Sequence, residues 1–329
     1  MYKQKKLRRA LVPENSVGVY HVMSRAAFGN RVFGAQGKEV FSRMMRRQAC
    51  FSGVEILTYC IMDNHFHLLV RVGGTDVDRL TDDDLIQRYR ALYGHCKEIH
   101  PGQLHPNEVE DILKADGERA VRLRVQLKGR MGNLATFVQE LKLRYARWYN
   151  RTEGNRGSIW SGRYKSLMVE VDGPALEALA VYIDLNPVRA GLVDDPARYR
   201  WSGYGEAVAS KISALWGIEQ VMQNSGASNF MALYRQRLGV IARFCTQKGK
   251  VEMSDAAFRE IVEAEGELSE SALLAYQFRY FIDGCVLGSE AFVKEQCKRL
   301  LPTRSEKSFN QQLSGSVFSL RRLRKSVIS

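Results

Sequence analysis

The sequence predicts an α+β protein built on an antiparallel sheet with helices packed on one face. Two observations lead there. Short segments rich in β-branched and aromatic residues alternate with stretches whose apolar residues recur at helical spacing, in the order β-α-β-β-α-β-α. The second and third of these strands are separated only by Asp63-Asn64, which supplies the turn chemistry of an antiparallel hairpin.

The elements follow in order. Residues 17–25 form a first strand rich in β-formers. From Gly37 to Ser52, the apolar residues Val40, Phe41, Met44 and Met45 share a helical stripe. Val54 to Met62 is β-branched and aromatic, and His65 to Val72 completes the hairpin. Residues 76–130 are strongly charged and read as a helical insertion, opened by Thr81 with Asp84 three residues on as a capping pair and interrupted at Pro101 and Pro106. The Asp82-Asp83-Asp84 run is explained by the favourable field at a helix start, with no metal needed. A long helix spans Met131 to Asn150, a Gly-rich basic loop covers 151–162, and Tyr164 to Val171 gives a fourth strand. Asp172 then caps a helix with Pro174 in its first turn, ending near Leu185 because Pro187 disfavours helical geometry at Asn186. This order is the ferredoxin-like pattern. The expected organisation is a catalytic domain over 1–210, a mainly helical region over 211–301 and a basic, flexible tail over 302–329.

With 329 residues and 45% hydrophobic content, the chain can bury a substantial core. No apolar run is long enough to span a membrane, and the basic N-terminus lacks the apolar core of a secretory signal, so a cytoplasmic, nucleoid-associated protein is expected. The six cysteines are scattered without a C-x-x-C pair and read as reduced, mostly buried thiols. A formal charge of +13 favours a polyanionic partner. The cations cluster at residues 3–9, from Lys142 to Lys165, and at 321–325. The middle cluster is interleaved with Tyr145, Trp148, Tyr149, Trp160 and Tyr164. Such aromatics either stack unpaired bases or form a helix's buried stripe, and the pattern leaves both open.

Two constellations carry chemistry. Side chains at i and i+2 on a strand share a face, so His65 and His67 project together while Phe66, Leu68 and Val70 point to the other side. Two imidazoles so placed can grip one divalent ion, although H-x-H alone also occurs by chance. On the later helix, Tyr182 and Asn186 are i, i+4 neighbours. An Asn186 amide oxygen would add a third, hard ligand, leaving positions for water or phosphate and suiting Mg²⁺ or Mn²⁺. A tyrosine one turn earlier would then serve as nucleophile at phosphorus.

Tyr-His-Val-Met-Ser-Arg (20–25), Met-Asp-Asn-His-Phe-His-Leu-Leu-Val (62–70), Gly-Arg-Tyr-Lys (162–165), Tyr-Ile-Asp-Leu-Asn-Pro-Val-Arg-Ala-Gly-Leu-Val (182–193) and Trp-Ser-Gly-Tyr (201–204) occur in that order. Together they resemble the single-tyrosine HUH transposases (IS200-like), most closely the REP-associated tyrosine transposase branch, over about residues 15–205. The resemblance implies His65 and His67 as metal ligands, Tyr182 as nucleophile and Asn186 as the additional polar ligand. It also implies a partner of single-stranded or hairpin DNA (repetitive extragenic palindromes among the candidates), cleaved to a 5′-phosphotyrosine and a free 3′-hydroxyl and rejoined by reversal. Gly203 stands where many members carry a second serine.

Tyr145 and Tyr149 are rival nucleophiles on the long helix, but neither has a suitable polar partner four residues on. His21 reads as a structural or DNA-contacting histidine. Arg144, Arg147, Arg163, Lys165 and Arg189 are the candidate phosphate contacts, which position a strand without reading it. The leading expectation is a metal-dependent DNA strand transferase. A DNA-binding regulator that kept the fold without strand transfer, and a phosphodiesterase using water, are the competing classes. Target sequence, native metal and oligomeric state, a homodimer included, stay open at this level.

Overall fold

The computed structural model describes residues 10, 16–94, 103–226, 228–245, 284–300, 310–314 and 317–321. The first four strands are β1 (Gly18–Arg25), β2 (Glu55–Ile61), β3 (His65–Val72) and β4 (Lys165–Val169). They lie in the order β2-β3-β1-β4, each pair antiparallel, which is the ferredoxin-like arrangement expected from the sequence. β1 and β3 pair over their full length, from Gly18 opposite Val72 to Arg25 opposite His65.

Helices flank the sheet on both faces rather than one. On the first face, α1 (Ala35–Ser52) and α5 (Leu134–Thr152) cover Tyr20, Val22, Tyr59, Phe66, Leu68 and Val70. Phe66 is fully buried there, with its ring centroid 4.7 Å from that of Phe41. On the second face, α6 (Pro174–Asp184), α8 (Gly203–Val208), α9 (Ile212–Met222) and α10 (Phe230–Cys245) cover Val19, Leu57, Cys60, Leu69 and Leu167. Because strand side chains alternate, this second layer is what encloses the odd-numbered positions of β3, the histidines among them.

The insertion is helical as expected: α2 (Asp82–Tyr93), α3 (Pro106–Lys114) and α4 (Glu118–Lys128) bury a separate cluster around Leu85, Tyr89, Val109 and Leu123, closed by Phe51 and Met131. Thr81 and Asp84 form the expected capping box, and Asp82 takes two 2.8 Å hydrogen bonds from Arg124. These acidic residues therefore cap and brace helices.

The C-terminal part keeps the expected helices and adds strands, two of them within the stretch expected as a flexible tail. After α9 and α10, the described residues give β5 (Gly284–Ser289), α11 (Glu290–Leu300), β6 (Asn310–Ser314) and β7 (Val317–Arg321). β5 pairs parallel to β4 and extends the sheet to seven strands in the order β2-β3-β1-β4-β5-β7-β6. Val286, Leu287, Val317 and Leu320 bury against the neighbouring layers. Short strands of this kind, with glycines and serines between apolar residues, carry weak periodicity and are specified by the open edge of β4. The basic cluster at residues 3–9 and all but Arg321 of the cluster at 321–325 lie outside the described residues. Cys60, Cys285 and Cys297 are buried thiols outside any disulfide and Cys50 is exposed. Among the described residues no helix is long and apolar enough to cross a membrane.

Gly203 has a steric role. A Cβ on it would stand 2.1 Å from the Thr58 Oγ1 and 3.0 Å from the Thr58 Cα, so α8 sits on β2 only with glycine there. Replacement of Gly203 by alanine is expected to destabilise the protein by about 1–3 kcal/mol, as overpacking does. Urea denaturation of the two proteins measures this, and an unchanged midpoint would refute the close-packing account.

Candidate functional site

The site is assembled where β1 and β3 meet α6. His65 and His67 are the first and third residues of β3, and their ring centroids are 5.0 Å apart. Both face α6, as Leu69 on the same side does, while Phe66 and Leu68 fill the opposite core. The i, i+2 reading of the strand is thus realised.

Each histidine has a partner on one ring nitrogen. The His65 Nδ1 lies 2.7 Å from the Asn64 Oδ1; since that oxygen only accepts, the Nδ1 carries the proton and the Nε2 keeps its lone pair. The His67 Nδ1 lies 2.8 Å from the Nε2 of His21, whose ring stacks on it at a centroid distance of 5.1 Å. His21 reaches His67 from β1 because it stands diagonally across the ladder, opposite Leu69, with Met23 opposite His67. Burial pushes the His65 imidazole down to about 4 and, with the neighbouring His21, pushes His67 well below the usual histidine range. Neutral imidazoles follow near pH 7, the form in which histidine ligates a metal.

Tyr182 comes from the last turn of α6. Its ring meets His67 edge-on at 5.8 Å and His21 at 6.3 Å, so the fold brings the tyrosine to the H-x-H pair. The residue is 4% exposed, and burial raises its phenol above the ordinary tyrosine value. Arg189 opposes that shift: its guanidinium lies 5.0 Å over the ring and hydrogen-bonds the phenol.

Asn186 follows α6 and opens a further helical turn, α7 (Asn186–Arg189). Pro187 has no N–H to give the Ile183 carbonyl, and the Asn186 Nδ2 takes its place, donating to the carbonyls of Ile183 (3.2 Å) and Tyr182 (2.9 Å). The amide nitrogen is therefore spent on the helix end, leaving the oxygen as the group that can serve as a ligand. The cap of α6 is Gly173, at φ 88°, one residue later than the expected Asp172.

Among the described residues no set of three His, Cys, Asp or Glu side chains is arranged to hold a metal. The donors that converge are the His65 and His67 imidazoles, which would need oxygens from Asn186, water or a phosphate to complete a shell.

The candidate phosphate contacts separate. Arg189 is on the tyrosine itself, while Arg163 and Lys165 are exposed at the entry to β4, where Lys165 pairs with Met23 of β1. Arg147 is exposed on α5. Arg144 instead stacks 4.4 Å over Tyr93 of α2, tying α5 to the insertion on the far side of the sheet. The interleaved aromatics resolve toward the buried stripe: Tyr145 is fully buried and donates to the Val32 carbonyl at 2.7 Å, and Trp148, Tyr149 and Trp160 pack against the same core. Arg25, to which the sequence assigned no role, lies close enough to act on His65, His67 and Tyr182, and His21, expected as a structural or DNA-contacting histidine, joins the site through His67. The period of two, which puts His21, Met23 and Arg25 on one face of β1, was their signal.

Comparison with known proteins bears on part of this region. Residues 16–81, from the lead into β1 through the β2-β3 hairpin, match the family model described as "Transposase IS200 like". The likeness drawn from the motifs at 20–25 and 62–70 stands over that segment. No curated protein matches the chain. A solved structure described as "Structure of the REP associates tyrosine transposase bound to a REP hairpin" is 11% identical, over 64% of this chain and 86% of that chain, with a TM-score of 0.35. That similarity is too low to bear on function.

Behind the site, Asp184 fixes the end of α6. It is fully buried and accepts from Thr58 Oγ1 (2.9 Å), Tyr234 OH (2.7 Å) and the Tyr204 amide (3.0 Å). Burial nonetheless wins over these bonds and raises its carboxyl from 3.8 to about 6. A carboxyl whose folded value exceeds its unfolded one costs nothing below the unfolded value; the cost grows as pH rises through the window and is complete above the folded value. The window here runs from about pH 4 to 6, and the cost is on the order of 3 kcal/mol. His65 and His67, whose lowered values favour folding as pH rises, add the opposite slope to both proteins, so chemical denaturation across that range should show the native chain losing stability relative to Asp184→Asn as pH rises. Parallel profiles for the two proteins would contradict it.

Proposed function

We propose that the protein is a metal-dependent DNA strand transferase of the IS200-like type, acting on single-stranded or hairpin DNA. The observation that carries this reading is the contact of Tyr182 with His67, which sets a phenol beside two neutral imidazoles that can share a divalent ion. The matched family over residues 16–81 and the net charge of +13 support a DNA substrate.

In the proposed step the Tyr182 oxygen attacks a phosphodiester. The new bond joins that oxygen to phosphorus, the bond from phosphorus to the 3′ oxygen breaks, and the leaving oxygen takes up a proton as a free 3′-hydroxyl. The phenolic proton is lost to solvent. Attack by a 3′-hydroxyl on the phosphotyrosine reverses the sequence and rejoins a strand. Arg189 offsets the burial of the phenol and holds the developing phenolate. A bound Mg²⁺ or Mn²⁺ would supply polarisation of the phosphate oxygens, held by His65, His67 and the Asn186 oxygen. His21 is a positioning residue: a His67 tautomer whose Nδ1–H donates to the His21 Nε2 would leave the His67 Nε2 lone pair to hold the ion. Arg163, Lys165 and Arg147 are proposed to track the phosphate backbone. Arg144, engaged with Tyr93, is the weakest member of that set.

The burial of Tyr182 favours a second reading, a DNA-binding regulator without strand transfer. Labelled hairpin DNA incubated with the protein and Mn²⁺, then run on a denaturing gel, decides between them. Strand transfer gives a covalent adduct that Tyr182→Phe abolishes and Tyr145→Phe retains. Binding without an adduct supports the regulator, and cleavage persisting in Tyr182→Phe means water is the nucleophile. In a separate titration, His21→Ala is expected to weaken Mn²⁺ binding by roughly 10–100-fold, as loss of a ligand's hydrogen-bond partner does. Equal affinity in the folded variant would remove His21 from the site.

A further inference from the structure

Beyond β1 the chain makes a short loop whose ends are fixed. The Ala26 amide donates to the Asn64 carbonyl (2.8 Å) and the Ala27 amide to the Ile159 carbonyl (2.9 Å). Ser161 donates to the Arg25 carbonyl from both its amide and its hydroxyl, each at 3.0 Å. On the far side, the Asn30 amide donates to the Ala27 carbonyl and the Phe33 amide to the Asp63 carbonyl, both at 3.0 Å. The loop is thus pinned to the turn immediately before His65 and to the segment leading into β4.

Phe28 sits at its tip with φ 54° and ψ 20°, in the left-handed region, and is 98% exposed. Neither property helps the fold. Glycine or asparagine adopts this backbone conformation at less cost, and an exposed phenyl ring forfeits the gain from burial. An aromatic in strained backbone on a braced loop is a pattern that points to recognition. Its surroundings indicate of what: Arg25, Arg31, Arg163 and Lys165 are all exposed on the loop or on the adjoining strand ends. Arg25 lies opposite His65 in the ladder, so Phe28 is three residues, at most about 10 Å of chain, from that register position.

We infer that Phe28 is a stacking platform for an unpaired nucleobase next to the phosphodiester held at the histidines. Cations that track the backbone beside an aromatic face suit a single strand, because every base offers a π-face. A duplex, whose bases are already stacked, gains nothing from it. The inference rests on the DNA-processing reading above and adds the residue that would select unpaired DNA.

The test uses the full chain, wild type and Phe28 variants, with three probes: a hairpin bearing a single-stranded flank, the same hairpin without a flank, and a flank scanned with 2-aminopurine. Phe28→Ala should weaken binding of the flanked hairpin about tenfold, within the range of one lost base stack, and leave the blunt hairpin unchanged. Phe28→Trp should restore affinity, with quenched tryptophan emission and one 2-aminopurine position responding; Phe28→Leu should not restore it. The unfolding midpoint of Phe28→Ala should match wild type. If wild type binds DNA and Phe28→Ala binds all probes equally well, the stacking role is wrong and the strand-transferase reading survives. If wild type binds none of them, that reading fails and the stacking role falls with it. If the affinity loss tracks a shift from dimer to monomer in sedimentation, Phe28 is a contact between copies of the chain, which also overturns the inference.

Discussion

The structure depends on one constraint, the two-residue period of β3 held in register by β1 on one side and β2 on the other. Phe66, Leu68 and Val70 go into the core beneath α1 and α5, and His65, His67 and Leu69 are presented to α6. A slip of one residue would exchange the two sets, putting imidazoles into an aromatic core and Phe66 into the site. Burial of both faces is therefore what fixes the histidines, far more than any contact they make themselves. The same register sets His21 diagonally against His67.

The second requirement is that α6 deliver Tyr182 to that face, and this is met by polar ties in a largely apolar layer. Asp184 gathers Thr58 from β2, Tyr234 from α10 and the start of α8 onto one carboxylate. Leaving any of those donors unpaired in the interior would cost more than the bond itself is worth, so the cluster holds the helix end tightly. Pro187 and Asn186 act at the next turn, where a missing amide is replaced by a side-chain amide and the chain continues to Arg189 above the tyrosine. The site is thus a meeting of two rigid pieces: a strand fixed by its pleat and a helix end fixed by a buried carboxylate.

The peripheral pieces divide their labour by face. The insertion closes its own core against Phe51 and Met131 and engages Arg144 through Tyr93, so it braces α1 and α5 away from the histidines. The strands of the C-terminal part cover the edge of β4 and leave the β1-β3 end open to solvent, where Arg25, Arg163 and Lys165 are exposed.

Much of this was written in local sequence. Alternation in 65–72, the Asp63-Asn64 turn, the capping pair at Thr81 and Asp84 and the helical stripe of α1 depend on neighbours in the chain, and each appears where expected. The H-x-H pair and the tyrosine with its asparagine four residues on were likewise legible as two half-sites. Their union was expected from donor chemistry and from the family resemblance, but the approach of Tyr182 to His67 was not in the local sequence, because it is set by how α6 crosses the sheet, a matter of packing and of Asp184. Nor could the sequence decide whether Tyr145 and Trp160 stack bases or fill a core, since both outcomes use the same residue types at the same spacing. Burial against Phe33 and Phe41 decided it. The strands near the C-terminus were hidden for a related reason: they pair with the edge of β4 and with each other, so what specifies them lies in a partner strand, not in their own period.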